Sequence, residues 1–170
     1  MRVLVVGGAG YIGSHAVTEL IKDGNEVVIL DNLSSGYMEL VHEKATFYLG
    51  DIRKKEDIAN VLKHEKIDVV MHFAAKIIVP ESVKIPLEYY YNNVEGVRIL
   101  LEVMNEFNVK KIVFSSTAAV YGEASGVCYE DSPTKPINPY GETKLACEKL
   151  ISWVSLAHGF TYVIFRYFNV

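Results

Sequence analysis

The chain has 170 residues, half of them hydrophobic, with 17 basic and 21 acidic side chains and a net charge of −4. That length fits one globular domain with a sizeable core, and the mildly acidic balance gives no electrostatic footprint for nucleic acid or anionic lipid. No apolar run reaches the roughly 18 residues of a membrane-spanning helix. Met1 and Arg2 lead directly into an apolar strand, so we expect no signal peptide and a cytoplasmic protein. The two cysteines, Cys128 and Cys147, and the spacing of the five histidines predict neither a disulfide framework nor a metal site.

Strand-like and helix-like segments alternate along the chain. Apolar runs typical of strands occur at 2–6, 26–30, 45–49, 67–73, 110–116 and 161–167. Helical patterns fall between them at about 11–23, 55–64, 83–107 and 140–158. This alternation predicts an α/β fold, a Rossmann-like doubly wound parallel sheet with helices on both faces.

Helix-terminating and helix-starting residues support these boundaries. Gly24 and Gly159 follow the first and last helical patterns, where a left-handed glycine ends many helices. Asn138 and Pro139 offer an N-cap and a first-turn proline for the last helix. The segment 117–139 is the longest irregular stretch, and loops of that length are usually functional.

A glycine-rich turn follows the first strand directly, with the sequence Gly7-Gly8-Ala9-Gly10-Tyr11-Ile12-Gly13. Glycine is required where a side chain would block a tight turn or the approach of the backbone to a pyrophosphate, and the helix that starts at Tyr11 directs its free N–H groups toward the phosphates. The strand–turn–helix context predicts a dinucleotide site.

An acidic residue, Asp31, ends the second strand, 18 residues beyond Gly13. A carboxylate there accepts hydrogen bonds from the adenosine ribose and repels a 2′-phosphate. Asn32-Leu33-Ser34 supplies no arginine to attract such a phosphate. The sequence therefore favours NAD over NADP.

Tyr140 and Lys144 are four residues apart at the start of the last helix, so they share one face of it. A nearby ammonium favours the phenolate, which makes a tyrosine usable as a general base. Ser115 to Thr117 leave the carboxyl edge of the fifth strand, where ligands of such sheets bind. We expect Thr117, Tyr140 and Lys144 to form a catalytic triad that removes a proton from an alcohol while NAD takes the hydride.

Several short blocks occur in order along the whole chain. They are GGAGYIGSH (7–15), DNL (31–33), GDIR (50–53), HFAA (72–75), ES (81–82), PLEYYYNNVEG (86–96), SSTAAVYG (115–122), PYG (139–141) and RYFN (166–169). Together they resemble the extended short-chain dehydrogenase/reductase family and, within it, the UDP-glucose 4-epimerases.

The resemblance implies a set of NAD contacts and a UDP-sugar substrate. The cofactor residues it implies are Gly7, Gly10, Tyr11, Ile12, Gly13, Asp31, Asn32, Ser34, Ser35, Gly36, Asp51, Ile52, Phe73, Ala74, Ala75, Lys76, Asn93, Ser115, Tyr140, Lys144 and Phe168. Thr117, Tyr140 and Asn169 would contact the substrate. Within this set, Asp51 and Ile52 would bracket the adenine, and Asn93 would bond near the nicotinamide ribose. The chain departs from many relatives at Thr117, where they have serine, and at Ile77, where some have lysine.

The resemblance further implies epimerisation of UDP-glucose and UDP-galactose at C4 through a 4-keto intermediate, with little or no activity expected of these 170 residues alone. Sugar-nucleotide dehydratases carry Asp-Glu after the threonine, whereas this chain has Ala118-Ala119, which disfavours dehydration. Another NAD-dependent sugar-nucleotide epimerase or reductase stays open as an alternative, as does a non-catalytic NAD-binding fragment.

The greater length of family members bears on the domain organisation. Residues 1–170 are expected to be the NAD-binding domain, truncated after the sixth strand, with the substrate domain of the family absent. Helices 83–107 and 140–158 resemble those through which the family forms homodimers.

Overall fold

The computed structural model describes residues 1–123 and 126–169, so residues 124 and 125 of the long irregular segment and Val170 lie outside the described residues. Six strands form one sheet, β1 (Arg2–Val6), β2 (Glu26–Asp31), β3 (Thr46–Leu49), β4 (Val69–His72), β5 (Lys111–Thr117) and β6 (Thr161–Tyr167). Their order is β3-β2-β1-β4-β5-β6, and every neighbouring pair is parallel. The predicted doubly wound α/β fold is confirmed.

The helices are α1 (Tyr11–Lys22), α2 (Lys55–His64), α3 (Val79–Lys84), α4 (Pro86–Tyr89), a π-helical turn (Tyr90–Glu95), α5 (Gly96–Glu106) and α6 (Pro139–His158). Two short 3-10 turns occupy Met38–Leu40 and Ala118–Val120. Among the residues that the structure describes, none of the helices is both long enough and apolar enough to cross a membrane.

Helices cover both faces of the sheet. One face packs with α2, α5 and α6 around Leu4, Val70 and Phe114, all of which are fully buried. The opposite face of β1 and β2 packs against α1 through Val17. Toward the β6 edge the cover is thinner, and Val163 and Phe165 are each 47% exposed.

The predicted continuous helix over 83–107 is wrong. The helical region starts earlier, at Val79, and breaks at Ile85, whose φ of −131° and ψ of 56° are not helical. Pro86 is the cause, because its ring disfavours the helical conformation of the residue before it. Beyond this break, the π-helical turn adds a residue to one turn of the helix, a feature that often marks functional sites.

The predicted helix ends are confirmed. The Asn138 side chain caps α6 by accepting a hydrogen bond from the Gly141 N–H at 2.8 Å, with Pro139 as the first helical residue. Gly159 (φ 71°) follows α6, and Gly24 (φ 79°) follows α1, both left-handed. The cap places Tyr140 and Lys144 in the first two turns of α6, at the carboxyl end of β5.

The chain reverses its direction of winding between β1 and β4. β2 and β3 lie on one side of β1, whereas β4, β5 and β6 lie on the other. In open parallel sheets, ligands bind at the carboxyl ends of the strands beside such a reversal. The glycine turn after β1, the loop after β4 and Ser115 to Thr117 of β5 all lie at this edge.

Candidate active site

The glycines of the turn after β1 fall into two classes. Gly7 has a φ of +84°, and a Cβ there would lie 2.5 Å from the backbone nitrogen of Ala74. A Cβ on Gly13 would lie 2.1 Å from the carbonyl oxygen of Gly7. Gly10 differs, because within the described chain its Cβ would meet only that same oxygen, at 3.4 Å. Packing therefore requires Gly7 and Gly13, whereas the space beside Gly10 is available to a ligand.

This space lies at the N-terminus of α1. Gly10 is the N-cap and supplies no side-chain cap. The first N–H groups of a helix have no intrahelical partner, so those of Tyr11, Ile12 and Gly13 are available at the positive end of the helix dipole. Such an end binds phosphate oxygens, and the turn fits the pyrophosphate of a dinucleotide.

Asp31 holds the glycine turn in place, a role that the motif alone did not indicate. One carboxylate oxygen accepts a hydrogen bond from the Ala9 N–H at 3.0 Å, and the other accepts from the Leu33 N–H at 2.8 Å. The residue is buried at the end of β2. A carboxylate has about four lone-pair sites, so two remain for ribose hydroxyls.

The segment after Asp31 closes back on the same turn. The Tyr37 N–H bonds the Ala9 carbonyl at 3.0 Å, and a Cβ on Gly36 would lie 2.9 Å from that oxygen. Ser34 and Ser35 are exposed on this segment, and the Ser34 N–H bonds the Asn32 side chain. Ser34, Ser35 and Gly36 thus border the glycine turn.

Asp51 and Ile52 differ in the groups that could contact an adenine. The Asp51 carboxylate accepts hydrogen bonds from the Asn32 amide at 3.1 Å and from the Arg53 backbone and side chain at 2.9 Å. The Arg53 guanidinium holds the pKa of Asp51 well below its usual range. The Ile52 side chain is buried against Gly96, so only its backbone can face a base.

The loop after β4 runs close beneath the glycine turn. Phe73 and Ala74 donate their N–H groups to the Val6 carbonyl at 2.8 and 3.1 Å. Ala75 and Lys76 follow, and Ile77 is 62% exposed. The loop therefore lies beside the glycine turn at the carboxyl end of the sheet.

Asn93, on the π-helical turn, joins this loop to α6. Its amide oxygen accepts from the Lys76 N–H at 2.8 Å, and its amide nitrogen donates to the Lys76 carbonyl at 3.0 Å and to the Thr143 hydroxyl at 3.2 Å. The Asn92 amide donates to the same oxygen at 3.0 Å. All four hydrogen-bonding positions of the amide are used within the chain. The expected bond from Asn93 to a ribose stays a prediction, and the positioning role is one that sequence reasoning missed.

Thr117 and Tyr140 meet at the end of β5. The Thr117 hydroxyl lies near the Tyr140 phenol and accepts a hydrogen bond from the Ala119 N–H at 3.2 Å. Burial raises the pKa of Tyr140 above its usual value, and the nearby Thr117 hydroxyl opposes that rise. The two side chains thus lie close together at the carboxyl end of β5.

Lys144 is buried one turn further along α6. Its ammonium donates to the Ser115 carbonyl at 2.8 Å and lies over the Phe114 ring, 4.9 Å from the centroid. Burial lowers its pKa to about 8. The ammonium is thus directed at the end of β5, and the lowering of the Tyr140 pKa by Lys144 stays a prediction.

Two further expected residues follow β6. The Phe168 ring stacks on Tyr121 with the centroids 6.4 Å apart, and both Phe168 and Asn169 are exposed. Their expected contacts with the nicotinamide and the sugar nucleotide stay predictions. Within the described residues, no cluster of His, Cys, Asp or Glu is arranged to hold a metal ion.

A glycine turn at the start of a helix and an acid ending the next strand, both at the reversal point of a parallel sheet, define a Rossmann-like dinucleotide-binding domain. The particular family follows from a comparison with known proteins. The chain belongs to the NAD dependent epimerase/dehydratase family, whose profile matches residues 3–170.

Three of the similar proteins in that comparison share one name. The UDP-glucose 4-epimerase of Lactobacillus helveticus is 56% identical over 171 residues, which cover 100% of this chain and 52% of the relative. A UDP-glucose 4-epimerase crystal structure superimposes with a TM-score of 0.97 at 52% identity, covering 99% of this chain and 52% of that one. The Thermus thermophilus UDP-glucose 4-epimerase in complex with NAD superimposes with a TM-score of 0.96 at 39% identity, covering 98% of this chain and 55% of that one. The predicted resemblance is confirmed, and the chain spans about half the length of these relatives.

Proposed function

We propose that this chain binds NAD and supplies the catalytic residues of an enzyme that interconverts UDP-glucose and UDP-galactose at C4. The observation that carries the proposal is the placement of Thr117, Tyr140 and Lys144 around the carboxyl end of β5, at the same end of the sheet as the open glycine turn. The names of the similar proteins support the choice of reaction.

The proposed cofactor site starts at the glycine turn. The N–H groups of Tyr11 and Ile12 would bind the pyrophosphate, and the free lone pairs of Asp31 would accept from the adenosine ribose. When bound, NAD accepts the hydride from C4 of the sugar and returns it. Lys144 has one N–H directed at Ser115, which leaves two donors for the nicotinamide ribose.

In the proposed reaction, Tyr140 takes the proton of the C4 hydroxyl as the hydride leaves C4, which yields a 4-keto sugar. Thr117 holds that hydroxyl against the phenol. Because burial raises the pKa of Tyr140 in the protein alone, the phenolate needs a further positive charge, and the oxidised nicotinamide ring carries one. Proton abstraction is therefore coupled to the presence of the cofactor.

Elimination of water is the less favoured reaction. Ala118 and Ala119 follow Thr117 in a 3-10 turn and offer no carboxylate as acid or base. The choice among UDP-hexoses, UDP-N-acetylhexosamines and UDP-uronates depends on contacts to the sugar. Much of that contact is expected from the half of the relatives that has no counterpart in these 170 residues.

A substrate panel tests this proposal. UDP-galactose, UDP-N-acetylgalactosamine and UDP-galacturonate are offered to the protein, and the epimerised products are separated by chromatography. We expect turnover of UDP-galactose to exceed turnover of the other two nucleotide sugars, at a low rate because much of the sugar contact has no counterpart in these 170 residues. Preference for another nucleotide sugar would favour the alternative epimerase, and NAD binding without any turnover would favour a non-catalytic NAD-binding module.

We further propose that the protein works in the cytoplasm and forms a homodimer through α5 and α6. A groove between these helices is lined by Leu101, Leu150 and Val154, and Trp153 and Leu156 of α6 are largely exposed beside it. Sedimentation velocity of the wild type and of a Trp153→Glu variant tests the dimer. A wild-type monomer, or a variant that still dimerises, would contradict this interface.

A further inference from the structure

A connecting segment, residues 118–138, begins directly after Thr117 and leads into the helix that carries Tyr140. Its first three residues form a 3-10 turn, which the Thr117 hydroxyl caps by accepting a hydrogen bond from the Ala119 N–H. This turn packs directly on the start of α6, because a Cβ on Gly141 would lie 2.7 Å from the Ala119 carbonyl oxygen. The spacing between the Thr117 and Tyr140 side chains therefore depends on where this turn is held.

Tyr121 ends the 3-10 turn and joins it to the sheet. Its N–H bonds the Ala118 carbonyl at 3.0 Å, and its buried side chain packs with Val120 and Leu145. Arg166 of β6 reaches this side chain in two ways. Its Nη1 donates to the Tyr121 hydroxyl at 3.0 Å, and its guanidinium lies 4.9 Å from the centre of the Tyr121 ring. One arginine thus contacts both the polar atom and the ring of Tyr121.

Arg166 also holds a later part of the connecting segment. Its Nη1 donates to the Glu130 carbonyl at 3.1 Å. Apart from the Thr117 cap, Arg166 is the one side chain of another strand or helix, among the residues that the structure describes, that forms a hydrogen bond to this segment. Ordering a long segment costs conformational entropy, so its position depends on the few contacts that join it to the sheet.

The guanidinium of Arg166 is itself oriented by Glu148, a carboxylate of α6 that is only 6% exposed. Nη2 lies 2.7 Å from Oε2 of the carboxylate, and Nε lies 3.1 Å from Oε1. The Ser116 hydroxyl donates to the same carboxylate. A two-pronged pair of this kind fixes the plane of the guanidinium, which directs the remaining Nη1 at the connecting segment.

We propose that Arg166 is a positioning residue that fastens the connecting segment to the sheet and thereby sets the spacing between Thr117 and Tyr140. The proposal rests on the proposed function only for the catalytic use of these two residues. A lysine ammonium is a single point charge without the planar fork of a guanidinium. Arg166→Lys therefore keeps a cation beside Glu148 and removes the simultaneous contacts with the connecting segment.

Native-state cleavage after Glu130 by a glutamate-specific protease tests the fastening, because Arg166 binds the carbonyl of the bond that is cut. Proteolysis of a folded protein reports how often the site opens, and we expect cleavage to be at least about tenfold faster in Arg166→Lys. The matched control is Arg2→Lys, since Arg2 of β1 likewise joins two carboxylates, Glu26 and Glu65, at the opposite end of the sheet. An unchanged rate in Arg166→Lys, or an equal rise in Arg2→Lys, overturns the proposal.

A second measurement follows the spacing itself, which a purely stabilising contact would leave unchanged. NOE cross-peaks between the Thr117 side chain and the Tyr140 ring are compared in the wild type and the same two variants. No NAD or substrate is added, so a failure of the proposed reaction does not alter the result. We expect the cross-peaks to weaken in Arg166→Lys and to stay constant in Arg2→Lys. Equal intensities in all three proteins contradict the proposal.

A third variant decides the question if Arg166→Lys fails to fold. Tyr121→Phe keeps the ring that packs in the core and removes only the hydroxyl that Arg166 binds. Weaker cross-peaks between Thr117 and Tyr140 in this variant support the proposal, and unchanged cross-peaks contradict it.

Discussion

Alanine substitutions at Gly10 and Gly13 separate the glycine that a ligand requires from the one that the fold requires. Gly10 has φ −85° and ψ 176°, a conformation that alanine adopts freely. Among the described residues, the new methyl group meets only the Gly7 carbonyl oxygen, at 3.4 Å. Replacing glycine at a compatible position changes stability by about 1 kcal/mol or less. We therefore expect Gly10→Ala to fold normally.

The same methyl group occupies the space where phosphate oxygens would approach the α1 N-terminus. We expect the NAD affinity of Gly10→Ala to fall at least about tenfold, equivalent to about 1.4 kcal/mol. Gly13→Ala behaves differently, because its Cβ would lie 2.1 Å from the Gly7 carbonyl oxygen and the backbone must move. Overpacking of this kind costs about 3 kcal/mol, which lowers Tm by about 6 to 12 °C in a chain of this size.

Calorimetric titration with NAD and thermal unfolding of both variants provide the measurements. Gly10→Ala binding NAD as tightly as the wild type would refute the assignment of this space to the cofactor. Gly13→Ala with an unchanged Tm would refute the packing argument. A Gly10→Ala variant that unfolds like Gly13→Ala would show that the two glycines do not differ.

Three further predictions concern stability and cofactor choice. Asn138→Ala removes the α6 cap and should cost about 1 kcal/mol by urea unfolding, whereas Asn138→Asp keeps the acceptor and should lose little; equal losses would contradict the cap. Burial lowers the pKa of His72 to about 3, so as pH falls from 6.5 toward 3 only the unfolded state gains the proton and stability decreases. Between pH 7 and pH 5 the wild type should lose about 2 kcal/mol more than His72→Leu, and parallel losses would contradict the burial argument. Asp31→Asn keeps one acceptor but removes the charge, so its preference for NAD over NADP should narrow in binding titrations; an unchanged ratio would contradict the role of the carboxylate.

The parts of the fold that the sequence predicted are those with strong local signals. Apolar runs located the strands because both faces of this sheet are largely covered, and Asn138, Pro139 and Gly159 located the ends of α6. The helix over 83–107 was misjudged because its apolar periodicity continues across the break before Pro86. Helical periodicity also gives no sign of a π-helical turn, which depends on packing against α6.

The candidate site was predictable in its motifs but not in its connections. A four-residue spacing places Tyr140 and Lys144 on one face of the helix. It does not predict the acceptor of the Lys144 ammonium, which is the Ser115 carbonyl. Asn93 was predicted as a cofactor residue, but its hydrogen bonds within the chain were missed because its partners lie on other elements, 17 to 50 residues away.

Replacing Tyr140 with phenylalanine tests the central claim most directly. The variant keeps the ring that packs at the start of α6 and removes only the phenolic oxygen that is proposed to take the C4 proton. NAD binding and UDP-galactose turnover are measured on the same preparations of wild type and variant. We predict NAD affinity within about twofold of the wild type and turnover reduced by at least about a hundredfold, in line with the loss of a general base. Turnover that persists in Tyr140→Phe, or a loss of NAD binding equal to the loss of activity, would contradict the assignment of Tyr140 as the catalytic base.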